Sequence, residues 1–235
     1  MRNLQLIGPQ GLFRQEKQYS IIANNLSNID TIGYKRDVPI FWRIMVETSN
    51  KYSHSVTETS ATLFDQGDLK RTGNTLDLAI EGEGFFKVKT PAGIRYTRSG
   101  SFQLNREGIL IQSNGFPVLG QGGEISLGSG SIVIGADGSI QVNGADRGKI
   151  ALVTFADVAS LKKEGQTLFR LEEEQEEKEA PNSKILQGSL EMSNVDSMRE
   201  MVQLIDSLQT FEACHRAVQA NDEMDGKAVN ELGKL

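Results

Sequence analysis

One cysteine, Cys214, and two histidines, His54 and His215, are all that 235 residues offer of the side chains most used for nucleophilic and metal chemistry. A lone cysteine excludes an internal disulfide framework. His54 lies in a polar stretch and His215 on a helical stripe, so the two make no ligand set. Cys214 adjoins His215, but successive residues of a helix point in different directions, which rules against a thiol–imidazole dyad and leaves Cys214 as a small helix-interface residue. Phosphate-binding glycine patterns are also missing: Gly82-Glu83-Gly84 lacks the GxGxxG spacing, and no GxxxxGK[ST] occurs. The segment ADGSIQVNGAD at 136–146 places Asp and Gly at turns without the twelve-residue spacing of a calcium loop. The triplet Asn25-Leu26-Ser27 fits a glycosylation sequon, a pattern too short to be specific. No catalytic residue, cofactor or metal is expected, and the chain does not read as an enzyme.

Excess positive charge is missing as well. The 25 Lys and Arg are interspersed among 31 Asp and Glu, for a net charge of −6, which argues against nucleic acid or an anionic membrane as partner. No run approaches the roughly 20 apolar residues of a membrane span, so no direct membrane insertion is expected. The N-terminal MRNLQLIGPQGLFRQEK, broken by Pro9 and Gly11, has no signal-peptide core. A soluble protein, or one exported without a cleavable signal, is the expectation.

What is present falls into three zones. From Gly11 to Ile29, Leu12, Gln15, Tyr19, Ile22, Leu26 and Ile29 alternate by three and four, the narrow stripe of a helix that packs on other helices. Near the C-terminus Met201, Leu204, Leu208, Phe211, His215 and Val218 repeat that spacing, beside a second stripe of Val195, Met198, Val202 and Ile205. Two adjacent stripes make a face broader than one partner helix can cover. Ser193 with Asp196 three residues on resembles a capping box at the start of this helix. Most of the 24 glycines lie between Gly67 and Gly148, separating short runs such as DLAIEG, GFFKVKT, IRYTRSG, SFQLN, GILIQ, SIVIGA, SIQVNG and KIALVTF. That spacing predicts hairpins in an all-β domain. The acidic run 172–179, EEEQEEKE, reads as a solvated loop or hairpin tip.

The expected fold is therefore α+β: N- and C-terminal helices paired as a coiled-coil-like core domain, with a central all-β domain inserted between them. The boundaries are 1–48 for the N-terminal helix and exit turn, 49–70 for a polar linker, 71–185 for the β-rich domain and 186–235 for the C-terminal helix.

Asn24, Asn25 and Asn28 stand out beside the apolar stripe, because asparagine is a poor choice inside a helix. Asn28 and Gly33 fit an ordinary helix end with a left-handed cap. The pair at 24 and 25 does not, and amides at such positions can fix register between packed helices.

These segments also carry a resemblance. NNLSNIDTIGYKR resembles the N-terminal signature of bacterial flagellar rod and hook proteins. QGDLKRTGNTLDLAIEGEGFFKV and YTRSGSFQLNREGILIQSNGFPVLG are similar to the two segments that open the middle domain of the rod subunits. LQGSLEMSNVDSMREMVQLIDSLQTFEA is similar to the C-terminal helix signature. The four occur in the family's order, and the chain is identified as a member of the FlgF/FlgG rod family, its short middle region favouring the proximal FlgF type. Thr210 departs from the family's pattern, which often has a basic residue there.

The resemblance implies a structural subunit that assembles helically along the flagellar rod, transmits torque, and crosses the inner membrane through the flagellar type III export apparatus into the periplasm-spanning basal body. Its partners would be other copies of itself and other rod and hook subunits. The subunit interface would comprise Leu12, Tyr19, Ile22, Asn24, Asn25, Leu26, Asn28, Ile29, Met201, Leu204, Ile205, Leu208, Phe211 and Val218, with the asparagines selecting register. Gly33, Tyr34 and Lys35 would form the turn by which the chain leaves the helical core. A rival reading is a periplasmic β-domain that binds peptidoglycan or glycan and is dimerised by its helices. With aromatics at 6%, and Phe85, Phe86 and Phe116 read as core or turn-flanking, it has few rings to stack on sugars.

Overall fold

In a computed structural model of the chain, the described residues are 4–48, 51–172, 176–180 and 183–232, with side chains described over 14–40 and 60–220 within those stretches and at 223, 224, 226 and 227. The chain is α+β, with one long helix near each end and β-structure between. It forms two compact units: Met1–Ser27 with Asp37–Ala61 and Asp196–Leu235, and Asn28–Arg36 with Thr62–Val195.

The first unit holds helix α1 (Leu4–Ser27), helix α2 (Ser197–Leu232) and a long two-stranded sheet of β1 (Asp37–Thr48) and β2 (Lys51–Thr62). Helix α1 starts before the expected Gly11 and runs through Pro9, which near a helix start forfeits a single backbone hydrogen bond. It also ends before Ile29. Asn28 ends it by accepting Thr31 N–H on its carbonyl and Thr31 Oγ1 on its amide oxygen, a turn bonded to itself in place of another helical turn. The start of α2 likewise differs from the expected capping box. Asp196 is the cap: its Oδ1 accepts from Met198 N–H at 3.0 Å and Arg199 N–H at 3.2 Å, while Ser193 Oγ accepts from Val195 N–H. Composition reads 49–70 as a linker, yet 51–62 is strand; Val, Thr and Ser in KYSHSVTETSAT suit an extended, paired backbone.

The second unit is built on one antiparallel sheet with a core on each face. Its central strand Phe85–Thr90 pairs with Gly93–Thr97, Val118–Gly120 and Leu152–Thr154, and the sheet continues from Gly93–Thr97 to Leu168–Leu171 and Leu161–Glu164. Alternation along FFKVKT divides the cores. Phe86 and Val88 join a cluster with Leu78, Ile80, Phe102, Leu110 and Ile140, and Phe85, on the opposite face, joins Tyr96, Val153, Phe155, Leu161 and Phe169. The second cluster is largely aromatic, with Tyr96 and Phe155 edge to face at 4.8 Å. Three strands, Ile132–Ile134, Ser139–Val142 and Ala145–Lys149, form a separate sheet whose turns hold Gly138 and Gly144.

The described residues of the acidic run are exposed, as its composition suggests, but they are tied to the sheet and not free loop. Lys178–Glu179 adds to the large sheet beside Leu152–Thr154, Glu177 accepts from Lys87 Nζ and Tyr96 Oη, and Glu172 pairs with Lys162. Residues 173–175 of that run lie outside the described residues.

Candidate assembly surface

Within the first unit α1 packs against α2, and the surprise lies in which face of α2 does the packing. The residues of α2 turned inward are Glu200 and Ser207, both buried, with Leu204, Cys214 and Val218 half-buried. Their spacing alternates four, three, seven and four, one continuous stripe. Ser207 Oγ donates to Gln15 Oε1 of α1 at 3.4 Å. Most of the apolar side chains point away: Met198 is 78% exposed, Val202 58%, Ile205 54% and Met201 50%, with Leu208 and Phe211 also exposed. Phe211 continues that outer stripe into His215, their rings parallel at 6.3 Å. On α1, Ile21 and Ile22 are buried, Leu26 is half-buried and Tyr19 is exposed. Tyr19 lines a groove of about 400 Å³ with Gln15, Glu16, Ser207, Leu208 and Phe211. The side chains of Leu12 and His54 lie outside the described residues.

The three asparagines separate. Asn25 is 1% exposed and its amide bonds within the first unit: Nδ2 donates to Asp37 C=O at 2.9 Å and to Glu200 Oε2 at 3.3 Å, and Oδ1 accepts from Asp37 N–H at 2.9 Å. It thus pairs with the first residue of β1 as a neighbouring strand would, through both donor and acceptor. Asn28 is buried in the turn after α1 and Ile29 is half-buried beside it. Asn24 is exposed, and its carbonyl accepts from Ser27 Oγ. The amides of Asn25 and Asn28 are therefore buried against their own chain.

In the second unit Gly33, Tyr34 and Lys35 are all buried. Gly33 has φ +68°, donates to Glu191 C=O at 2.8 Å, and sits so close to Ser99 that a Cβ would lie 2.3 Å from its backbone nitrogen. Lys35 Nζ donates to Glu191 Oε1 and to Asp65 C=O, each at 2.6 Å. Glu191, itself fully buried, also accepts from Gly67 N–H at 3.0 Å and from Arg98 Nη1 at 3.2 Å. One carboxylate thus serves two buried cations. Burial pulls the Lys35 ammonium and the Arg98 guanidinium below their ordinary ranges, and Glu191 opposes the shift in both. Arg98 Nε has no hydrogen-bond partner among the described residues, although the guanidinium lies 5.2 Å from the centre of the Phe85 ring. Tyr34 carries Lys163 Nζ 4.2 Å over its ring, and that ammonium donates to Lys35 C=O. The exit turn is accordingly a buried electrostatic knot tying 33–36 to 65–67, 98–99 and 191–194.

Sequence reasoning missed Glu191, Arg98, Glu200 and Ser207. Glu191 lies 156 residues from Lys35, and no local pattern joins them. Glu200 and Ser207 do carry a signal, since they fall on the three-and-four spacing, but a polar stripe is easily passed over beside an apolar one.

None of this resembles a catalytic arrangement. Among the described residues there is no cluster of His, Cys, Asp or Glu able to hold a metal, and no helix long and apolar enough to cross a membrane. What the chain presents instead is an apolar helix face without cover. Comparison with known proteins places the chain in a family. Residues 7–35 match the family "Flagella basal body rod protein", 79–142 the "Flagellar hook protein FlgE/F/G D1 domain" and 186–231 the "Flagellar basal body rod FlgEFG protein C-terminal". The flagellar basal-body rod protein FlgF of Caulobacter vibrioides is 34% identical over 96% of this chain and 97% of its own. The basal-body rod protein FlgG of Bacillus subtilis is 30% identical over 95% and 96%, and FlgF of Rhizobium meliloti 31% identical over 93% and 92%. The chain belongs to the flagellar basal-body rod protein family.

Proposed function

We propose that this chain, a structural subunit of the bacterial flagellar basal-body rod and not an enzyme, assembles helically with copies of itself and with other rod and hook subunits through its terminal helices, and so transmits torque. The observation that carries the reading is the outward apolar stripe of α2. A monomer seldom leaves so contiguous a patch uncovered, and fully burying one such side chain stabilises by roughly 1.5 to 3 kcal/mol. Half-exposed residues such as Leu208 would gain about half of that, repeated in every subunit. Coiled-coil-like packing of the paired helices, the interface formed by Tyr19, Met201, Ile205, Leu208 and Phe211, and the division into a helical core and a β-rich middle domain belong to the same reading. The 34% identity to the FlgF of Caulobacter vibrioides supports the FlgF type, against identities of up to 32% to FlgG relatives.

The glycan-binding alternative finds no support, since Phe85 and Phe86 are buried in the two cores and offer no ring to a sugar. Delivery through the flagellar type III export apparatus with the N-terminus retained completes the proposal. Its support is that α1, from Leu4, is part of the packed helix pair, so removal of some twenty residues would dismantle it. Intact-mass measurement of the chain recovered from basal bodies should give the full-length mass. For the assembly surface the test is Leu208→Asp: the protein should fold with an unchanged melting temperature yet be absent from basal bodies, and normal incorporation and motility would reject it.

A further inference from the structure

The groove between α1 and α2 and the exposed N-terminal end of α2 match in chemistry, apolar against apolar and acid against base. The groove has an apolar lining in Tyr19, Leu208 and Phe211, a volume of about 400 Å³, and Glu16 on its rim. Glu212, exposed, follows Phe211. The first turns of α2 supply the opposite: Met198 and Met201, among the most exposed apolar side chains, with Arg199 between them. Arg199 is exposed and its guanidinium makes no ion pair among the described residues. Unbranched, polarisable methionines suit an irregular groove.

We propose, on the rod reading above, that this groove is the seat for the N-terminal end of α2 from a second copy of the chain, with Met198 and Met201 entering between Tyr19, Leu208 and Phe211 and Arg199 meeting Glu16. Along α2 the inserted methionines and the groove-lining Leu208 and Phe211 lie seven to thirteen residues apart, an offset of roughly 10 to 20 Å along the axis at 1.5 Å per residue. Such a heterologous contact leaves each added copy with an open groove and an open knob. It therefore propagates, as a helix when the rotation between copies does not close a ring, whereas a contact of one patch with itself would close a dimer and stop.

The experiment is cysteine cross-linking in cells, with Cys214→Ser as background. Copies carrying Met198→Cys and copies carrying Leu208→Cys are expressed together as full chains, basal bodies are isolated, and mild oxidation is followed by non-reducing electrophoresis. A cross-linked dimer in the mixed culture, and none when either variant is expressed alone, is the expected result. A dimer from Leu208→Cys alone would mean that the face meets itself, and it would overturn the proposal while leaving the rod reading intact. Recovery of both variants in basal bodies without any dimer would overturn it too. Should the wild-type chain fail to enter basal bodies, the rod reading itself falls, and the proposal with it. Charge reversal guards against variants that block assembly by their size: Glu16→Arg and Arg199→Glu should each lower incorporation at least about tenfold and the double variant restore it, whereas two additive losses would reject the pairing.

Discussion

Replacing Glu191 by glutamine changes one buried oxygen to an amide nitrogen, and it should be among the most damaging conservative substitutions in the chain. The carboxylate accepts from Lys35 Nζ at 2.6 Å, from Gly67 N–H at 3.0 Å and from Arg98 Nη1 at 3.2 Å, with the Lys35 and Glu191 side chains 0% exposed and that of Arg98 4%. Glutamine keeps one acceptor oxygen for Lys35 and Gly67. It turns a donor toward Arg98 and removes the negative charge that two buried cations share. Breaking a buried ion pair by removing one partner costs about 3 to 5 kcal/mol, since the remaining charge stays out of water. Against a total stability of about 5 to 15 kcal/mol, that is about a fifth or more. At about 2 to 4 °C per kcal/mol for a chain of this size, the melting temperature should fall by roughly 6 to 20 °C, read by circular dichroism or calorimetry on the full chain. Lys35→Met supplies the control. It removes one stranded cation, so the double variant should be less destabilised than the sum of the two singles. A melting temperature for Glu191→Gln within about 3 °C of the parent, or additive losses in the double variant, would refute the reasoning.

Other consequences follow from the same geometry. Gly33→Ala places a methyl 2.3 Å from Ser99 N at a φ of +68°, and soluble yield should collapse; a melting temperature near that of the parent would mean the exit turn adapts freely. Asn25→Asp is isosteric but aims a carboxylate at Glu200 Oε2, now 3.3 Å away, and at Asp37 C=O, so it should destabilise by about 2 kcal/mol or more in chemical denaturation, and at least as much as Asn25→Ala. Burial alone would raise the Glu177 carboxyl, but hydrogen bonds from Lys87 and Tyr96 outweigh it and hold the group below its ordinary 4.5. A depressed carboxyl stabilises the fold above its unfolded value and loses that contribution as pH falls through the folded one. Between about pH 6 and about pH 3 the parent should therefore lose stability more steeply than Glu177→Gln, and parallel profiles would contradict the assignment.

The β-rich middle was legible because its signals are local. NREG, SNG and ADG each close a hairpin, as do the first two residues of NGADRG, whose remainder is strand, and Gly108, Gly115, Gly138 and Gly144 take the positive φ those turns need. The eight runs read as strands each contain one. Strands Leu161–Glu164, Leu168–Leu171 and Lys184–Gln187 escaped, since LKKEGQTLFRL and SKILQG mix charge with apolar residues as freely as a loop does. The helices were legible as periodic stripes, but which stripe faces inward was not. Apolar periodicity normally marks the buried side. In α2 it marks most of the exposed side, while Glu200 and Ser207 occupy the seam, so here the rule identifies the outward face. The asparagines taught the converse. Asn25 broke the helix-interior pattern because its amide stands in for a strand neighbour to Asp37, a contact twelve residues away that no periodicity displays.

Methionine oxidation tests the assembly surface most directly, because the stripe carries its own probes. Met198, Met201 and Met224 are exposed in the isolated chain, and Met192 is half-buried and serves as an internal reference. Peroxide-driven sulfoxide formation would be followed by mass spectrometry in the purified chain and in intact basal bodies, each rate divided by that of Met192. If α2 is the surface on which copies meet, Met198 and Met201 should oxidise readily in the free chain and at least about tenfold more slowly in the rod, matching the exclusion of water from a packed interface. Equal relative rates in the two states would leave the apolar face of α2 open to solvent in the assembled rod, and it could not be what joins the subunits.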